Sequence, residues 1–330
     1  MAEFLTFDTD LTAVANAIRV KGGTSAQLIY PSGFVSAIQA IQTGITPKLV
    51  VTTTPGAAIT ATPAEGFKVV KGTAGADGMC TLELPKAGTW HVTAMANSVS
   101  NSQHIVIGTQ NMLLPLYHDT FANNTWEEII TVCRTGIAPD SWAVGDSKTM
   151  NIGGTAYQVD IIGKNHDEYA DGSGTAPLTF QLHDCYSEAK QMYSTNLSGL
   201  GWKNTDMRLT YLPAILALMP AEVQNGIHAV NKKTSEGGNS TTIEIVSDTL
   251  FLLSEVEIFG TASSSVAGEG SQYDYYKAGN PKIKKREGVD EFWWERSSAS
   301  GGMFCRVRAN GQAGASNASS SLGVSFAFCF

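Results

Sequence analysis

The sequence carries little charge, and little of that charge is positive. Charged side chains make up 16% of the 330 residues, and 22 lysines and arginines stand against 30 aspartates and glutamates, for a net charge of -8. The one basic run, Lys282 to Arg286, is short and is followed by acidic residues. Because proteins that bind nucleic acids use clustered cations to neutralise phosphates, this composition argues against a nucleic-acid partner.

Long apolar runs and paired cysteines are missing too. No apolar run approaches the ~18 residues that cross a bilayer, and the N-terminus lacks the basic-then-apolar pattern of a signal peptide. We therefore expect no membrane insertion. The five cysteines, which are Cys80, Cys133, Cys185, Cys305 and Cys329, are odd in number and form no C-x-x-C pair. This spacing predicts buried thiols in a chain made in a reducing compartment.

What the sequence does contain divides it into three segments. Residues 1–45 show helical spacing, residues 46–109 show short strands between turn signals, and residues 110–330 mix helices with many short strands. The last segment has no regular βαβ alternation, which predicts an α+β fold. Glycine, serine, threonine and asparagine replace charge on the surface, and this favours a β-rich architecture throughout.

The segment 1–45 predicts two short amphipathic helices without a core of their own. The apolar positions are Leu11, Val14 and Ile18 in the first helix and Phe34, Ile38 and Ile41 in the second. Two short helices do not bury both apolar faces by themselves. The segment must therefore dock on the next domain, on copies of itself or on a larger assembly. We expect it to pack against other subunits, in a homotrimer, or against components of a larger assembly.

The segment 46–109 predicts a small all-β sandwich. Cys80-Thr81-Leu82-Glu83-Leu84 alternates cleanly between apolar and polar residues, and Asp77-Gly78 is a turn signal. Its two histidines, His91 and His104, are expected to face solvent from strands.

Two capping boxes predict helix starts in the large segment. They run from Thr125 to Glu128 and from Ser254 to Glu257. In each box the hydroxyl accepts a backbone N–H while the acid reaches back to the N-cap.

The stretch from Phe292 to Phe330 combines a rigid framework with a soft middle. The framework residues are Trp293, Trp294, Glu295, Arg296, Phe326 and Phe328. We expect the two tryptophans to brace the domain, Glu295 and Arg296 to form an ion pair or hydrogen-bonded brace, and the end of the stretch to be a half-buried strand. Between the two rigid ends lie small and polar residues that face solvent without a packing requirement, as in a recognition surface.

Three parts of the chain resemble known families. The run "DTDLTAVANAIRVKGGTSAQLIYPSGFVSAIQAI" is similar to a leader of tail-associated proteins of gut bacteriophages and prophages. The pattern "VVTTTPGAAITATP…GMCTLELPKAGTWHVTA" resembles immunoglobulin-like spacer modules. The runs "LFLLSEVEIFG", "GEGSQYDYYKAGN", "WWERS" and "GVSFAFCF" together resemble the C-type-lectin-like fold of formylglycine-generating-enzyme-type domains, in the branch that includes variable proteins of diversity-generating retroelements.

These resemblances imply a receptor-binding protein of a phage tail. The head would display a variable C-terminal surface that binds a host-surface protein or polysaccharide, and the first segment would contact other virion proteins. The virion would be assembled in the bacterial cytoplasm. Between Ser298 and Leu322 nearly all residues belong to the set that randomised adenines in AAC-type codons encode, with Met303 and Gln312 as exceptions.

The residues expected to form the variable binding surface are Arg306, Arg308, Asn310, Ala315, Ser316, Asn317, Ser319, Ser320 and Leu322. We expect them to share one exposed face. Arg306 and Arg308, two positions apart on a strand, should point the same way and opposite to Val307. Two guanidiniums suit a ligand that bears carboxylates or phosphates.

The sequence favours a protein that is not an enzyme and needs no cofactor or metal. His166-Asp167 and His183-Asp184 place histidine beside a carboxylate, but neighbouring residues diverge on strands and helices, so neither dipeptide is a preformed site. The active-site cysteines of formylglycine-generating relatives and the calcium-binding triplets of animal lectins are absent. A purely structural virion protein and a glycan hydrolase stay open as alternatives.

Overall fold

The computed structural model describes residues 12–18, 47–64, 68–85, 87–107, 110–238 and 240–330. The chain forms two compact units, Met1–Leu116 and Tyr117–Phe330. Each unit is described by itself.

The first unit contains one described helix, α1, at residues 12–18. Ile18 is buried together with Ala15, whereas Val14 is 49% exposed. Within the chain, the buried side of α1 therefore centres between Ala15 and Ile18, and the contact of Val14 with other subunits stays a prediction. Leu11 and the predicted second helix, with Phe34, Ile38 and Ile41, lie outside the described residues.

Seven strands lie in the described part of this unit after α1. They are β1 (Lys48–Thr52), β2 (Ala58–Pro63), β3 (Val70–Thr73), β4 (Met79–Glu83), β5 (Gly88–Ala96), β6 (Val99–Ile107) and β7 (Gln110–Leu113). One sheet has the order β4-β1-β7 and the other β3-β2-β5-β6. Their inward residues, among them Val51, Leu82 and Trp90, share one hydrophobic core.

Local sequence explains this packing. In β4 Cys80 and Leu82 are buried while the residues between and beside them are exposed, which is the alternation expected of a strand with one face on a core. The turn before β4 needs Gly78, whose φ is +72°, because a Cβ at this position would lie 2.4 Å from the carbonyl oxygen of Thr53.

The boundary between the units falls later than the sequence pattern placed it. The pattern changes at residue 109, but β7 pairs in parallel with β1, from Leu49↔Gln110 to Thr52↔Leu113. Leu114 and Leu116 also belong to the core of the first unit. The first unit therefore extends to Leu116.

The second unit mixes short helices with strands in four sheets. Its α-helices are α2 (Trp126–Cys133), α3 (Leu212–Leu216), α4 (Ala221–Gly226), α5 (Glu255–Phe259) and α6 (Asp274–Lys277), with 3-10 helices at Phe121–Asn123 and Trp202–Asn204 and a π-helix at Met207–Tyr211. Its strands are β8 (Ser147–Ile152), β9 (Thr155–Lys164), β10 (Leu178–Leu182), β11 (Val230–Ser235), β12 (Ile243–Asp248), β13 (Lys284–Arg286), β14 (Val289–Glu291), β15 (Trp293–Ala299), β16 (Met303–Val307), β17 (Ala313–Asn317) and β18 (Ala327–Cys329). The sheets are β18-β10-β9-β8, β11-β12, β13-β14 and β15-β16-β17.

Both predicted capping boxes are confirmed. Thr125 accepts the N–H of Glu128 at the start of α2 while the Glu128 carboxylate accepts the N–H of Thr125. Ser254 and Glu257 do the same at the start of α5. Strand predominates over helix in the described chain, as in α+β and mainly-β folds. No described helix is long and apolar enough to cross a membrane.

The predicted half-buried strand at the end of the chain is wrong in one respect, because both of its faces are buried. β18 pairs with β10, with Phe328 opposite Phe180, and Ala327 also bridges Phe251 on the other side. Residues from Gly323 to Phe330 are all buried. The small residues that alternate with the phenylalanines therefore pack inside the protein.

Loss of a buried ring from this segment should be costly. We expect Phe326→Ala, at a side chain with 0% exposure, to lower the free energy of unfolding by about 3–5 kcal/mol. The matched change Phe292→Ala removes a ring that is 38% exposed and should cost about 1 kcal/mol or less. Urea denaturation of both variants measures the difference, and equal losses would contradict the buried framework.

Candidate functional site

Strand β15 is the rigid base of the candidate site. All seven of its residues are buried. The indole N–H of Trp293 donates to the carbonyl of Lys282 at 2.9 Å, and that of Trp294 donates to the carbonyl of Lys190 at 2.8 Å. Both rings are therefore held by packing and by a hydrogen bond, so they support the site from below without facing solvent.

A β-bulge turns the middle of β15 into the interior. Trp294 pairs with Arg306 and Ser298 pairs with Phe304, so β15 carries extra residues across this interval. The unpaired residues are Glu295, Arg296 and Ser297, and all three have 0% exposure. A bulge re-aims side chains locally, and here it places an acid and a base inside the protein.

Arg296 uses its whole guanidinium group in that interior. Its two terminal nitrogens bind both carboxylate oxygens of Glu257, at 2.5 and 2.9 Å. The same group donates to the carbonyl oxygens of Leu252, Lys233 and Glu269. Arg296 thereby ties β15 to α5, to β11 and to the chain before α6. The predicted brace at Arg296 exists, but its partner is Glu257 and not Glu295.

The ion pair continues to a second buried cation. Lys232 on β11 lies 2.8 Å from Glu257 and 2.6 Å from Asp167, and the phenol of Tyr273 donates to Asp167 at 2.8 Å. Cations and carboxylates therefore alternate from Arg296 to Asp167. Burial alone would raise the pKa of Asp167, but Lys232 lowers it to about 2, so the carboxylate stays ionised.

Glu295 has no such partner. Both of its carboxyl oxygens are buried and neither forms a hydrogen bond within the described chain. Burial raises the pKa of Glu295 well above its ordinary value, and the neighbouring acids Glu255 and Glu269 raise it further, against a smaller opposing effect of Arg306. The interior therefore disfavours the ionised form of Glu295.

The outer side of the sheet brings two predicted binding residues together. Arg306 pairs across the sheet with Gly314, and the side chain of Arg308 lies over Gly314, where its Nε would be 2.9 Å from an added Cβ. Partial burial lowers the pKa of Arg306, and the positive charge of Arg308 lowers it further, so the two guanidiniums are close enough to repel each other. Val307, between them in sequence, is buried.

Neighbouring groups fix Arg306 in place. Its Nε donates to the hydroxyl of Ser316 at 2.5 Å, and its guanidinium carbon lies 4.2 Å from the centroid of the Phe292 ring. Its Nη1 is buried without a hydrogen-bond partner among the described residues. We call this surface the arginine face, and it consists of Arg306, Arg308, Ser316 and the rim of Phe292.

The prediction of one shared face is wrong for part of the set. Ser316 stands opposite Phe304, whereas Ala315 stands opposite Cys305 and Asn317 opposite Met303. Because side chains alternate along a strand, Ala315 and Asn317 lie on the other side of the sheet from Ser316. On that side the thiol of Cys305 contacts the buried carboxylate of Glu255 at 3.9 Å.

The remaining predicted residues lie on connections around the sheet. Asn310 forms the turn between β16 and β17, where its side-chain oxygen accepts the N–H of Gln312. Ser319 donates to the side chain of Asn196 at 2.5 Å, and Leu322 exchanges two backbone hydrogen bonds with Lys190. Ser320 is half-buried in the turn after β17.

In the dipeptide His183-Asp184, the two side chains do not bind each other. His183 instead binds a carboxylate that the sequence did not reveal. Asp184 accepts the N–H of Lys285, while His183 binds Asp160 on β9 through Nδ1 at 2.7 Å. Asp160 is buried and the His183 side chain is 54% exposed. Asp160 is 23 positions from His183, so no local motif signals this pair.

The other dipeptide is built into the core. His166 stacks on Tyr273 with ring centroids 3.9 Å apart, and Asp167 binds Lys232. The five cysteines are all buried free thiols, as predicted. Among the described residues, no group of three or more histidine, cysteine, aspartate or glutamate side chains is arranged to hold a metal ion.

Residues 179–330 match the model of a protein family described as "Domain of unknown function (DUF6273)". The match begins in β10 and contains β15–β17, Glu257 and Arg296, but it covers less than half of the chain. No curated protein and no solved structure matches the sequence.

The raised pKa of Glu295 predicts a specific pH dependence. Glu295→Gln keeps the shape of the side chain and removes its ionisable proton. A group whose folded pKa is raised stabilises the protein fully below its unfolded pKa, near 4.5, and loses that contribution as pH rises toward the folded pKa. As pH rises above the unfolded pKa, we therefore expect wild type to lose stability relative to the variant in urea denaturation, at a rate of at most about 1.4 kcal/mol per pH unit. Curves for wild type and Glu295→Gln that stay parallel as pH rises would refute the assignment.

The pair of His183 and Asp160 predicts a second titration. The hydrogen bond to Asp160 raises the pKa of His183, although partial burial opposes it. Protonated His183 therefore adds stability at acid pH that is lost as pH rises through its folded pKa. In an NMR titration, Asp160→Asn should lower the pKa of His183 clearly more than Asp184→Asn does. Equal shifts from the two variants would show that Asp160 is not the orienting partner.

Proposed function

We propose that the chain is a non-enzymatic binding protein of a bacteriophage or prophage tail whose C-type-lectin-like head recognises a host-surface ligand. Residues 1–45 would attach it to other tail proteins and hold copies together as a trimer, and the β-sandwich unit would act as a spacer. The ligand would be a host-surface protein or polysaccharide. The chain would act in the virion after assembly in the bacterial cytoplasm.

The observation that carries this proposal is the contrast across one sheet. β15 is wholly buried and is held by tryptophans and by Arg296, while β17 presents small and polar residues at partial exposure and β16 exposes only parts of Met303 and Arg306. A surface whose contact residues are not needed for the core can change them at little cost in stability. That separation is what a variable binding protein requires.

The arginine face is the part of this surface that we propose binds the ligand. Its two guanidiniums have no carboxylate partner among the described ion pairs. Arg306 also keeps a buried N–H without a partner. Arginine binds carboxylates and phosphates through paired hydrogen bonds. The ligand would therefore be acidic, and the small residues around the arginines make the surface shallow, so affinity per copy would be low and multivalent display would raise it.

A glycan hydrolase is the weaker alternative. Glycosidases generally place two carboxyl groups on either side of a bond that they can reach. Glu255, Glu269 and Glu295 lie near one another but all have 0% exposure. The exposed imidazole of His183 has an orienting carboxylate, but a single histidine–aspartate pair is not the two-carboxylate arrangement of that reaction.

Binding to acidic polymers tests the proposal. The full chain is immobilised and exposed to polygalacturonate, to a polyglycerol phosphate and to neutral dextran. We expect Arg306→Ala/Arg308→Ala to weaken binding of the matching acidic polymer about tenfold or more, since it removes two charge-assisted contacts. The control Lys48→Ala/Lys277→Ala removes the same charge from two exposed ion pairs elsewhere and should bind as wild type does. Equal binding by all three proteins would place the ligand site elsewhere. Absence of binding by wild type would contradict an acidic ligand.

A further inference from the structure

Two histidines of the first unit stand side by side on its four-stranded sheet. His91 on β5 is the direct cross-strand partner of His104 on β6. Their rings stack with centroids 4.5 Å apart and an interplanar angle of 24°. His104 is exposed and His91 is half-buried. The sequence predicted both as solvent-facing strand residues, and the structure adds that they form a pair.

The sheet holds the two side chains in register. β5 and β6 pair without interruption from Gly88↔Ile107 to Ala96↔Val99. β5 also pairs with β2 on its other side, so His91 lies on an inner strand and His104 on an edge strand. Residues directly opposite each other on antiparallel strands have Cβ atoms about 5 Å apart. The paired backbones therefore hold both imidazoles side by side, and no loop has to become ordered to bring them together.

The surroundings of the pair select one class of ligand. On the same face, Thr62 lies opposite His91 on β2, and Thr93 and Ser102 form the pair two residues further along the ladder. None of these described neighbours is acidic, so they add no carboxylate to the two imidazoles. Nitrogen ligands suit zinc, nickel and copper ions, whereas calcium and magnesium require several oxygen ligands.

We propose that His91 and His104 form a two-histidine chelate for a divalent transition-metal ion. Two bonds of about 2.0–2.1 Å to one ion require the ligating nitrogens to lie roughly 3 Å apart, so the rings would turn out of their stacked arrangement when the ion binds. Water, or the same pair from a second copy of the chain, completes the coordination. The bound ion fastens the edge strand β6 to β5 and stabilises the spacer unit by mass action.

Metal titration of the untagged full chain tests this proposal. We expect isothermal titration with Ni²⁺ and with Zn²⁺ to show saturable binding and titration with Mg²⁺ to show none. Either single change, His91→Asn or His104→Asn, should weaken Ni²⁺ binding about tenfold or more, because the second imidazole acts as an intramolecular ligand. His183→Asn removes an exposed imidazole from the other unit and should leave the affinity unchanged. The buried thiols do not compete in the folded protein.

A second measurement does not depend on the variants folding. In the wild-type protein, substoichiometric Ni²⁺ should broaden the imidazole NMR signals of His91 and His104 together, before those of His183. Absence of Ni²⁺ binding, equal affinity in the single variants, or selective broadening of another histidine would each overturn the proposal. Failure of acidic-polymer binding by the arginine face would leave it untouched, because the two sites share no residue.

Discussion

The bidentate pair between Arg296 and Glu257 is the interaction on which the second unit depends. Glu257 caps α5 through Ser254, binds Arg296 on β15 and contacts Lys232 on β11, so one carboxylate joins three elements. Its pKa is lowered although burial alone would raise it, because Arg296 and Lys232 both favour the ionised form. Buried ion pairs contribute little net stability compared with apolar replacements, yet removing one partner leaves an uncompensated charge. The network therefore specifies one arrangement of these elements more than it adds to stability.

This arrangement separates the buried base of the sheet from the arginine face. The buried part of β15 takes its order from Arg296 and the tryptophans, and none of these contacts involves a side chain of the arginine face. Glu295, between Trp294 and Arg296 in sequence, is the exception to the pairing rule for buried charge. Its raised pKa disfavours the ionised form, which reduces the cost of an unpaired buried carboxylate.

Local rules in the sequence were enough for part of this architecture. The capping boxes, the alternation in β4 and the burial of the cysteines follow from short-range pattern, and the structure confirms them. Partners distant in the chain were not readable. Arg296 binds a carboxylate 39 positions away, and His183 binds one 23 positions away.

The bulge in β15 and the two-sided burial of β18 were missed for the same reason. Alternation in a sequence shows which residues can share a face, but it does not show whether a second layer covers the other face. The division of Ala315 and Asn317 from Ser316 did follow from strand alternation, once their pairing with β16 was known.

The arginine face and the buried network of Lys232, Glu257 and Arg296 differ in burial, and they should therefore respond differently to ionic strength. Mobile ions screen charges in contact with solvent over about 10 Å at 0.1 M salt, but they do not enter a dry interior. Arg308 is exposed and Arg306 partly so, whereas Lys232, Glu257 and Arg296 have at most 2% exposure. Added salt would therefore weaken the attraction between the arginine face and an acidic ligand while the internal network keeps its geometry. Binding through the arginine face would therefore be lost in concentrated electrolyte and regained on dilution, without refolding of the internal network.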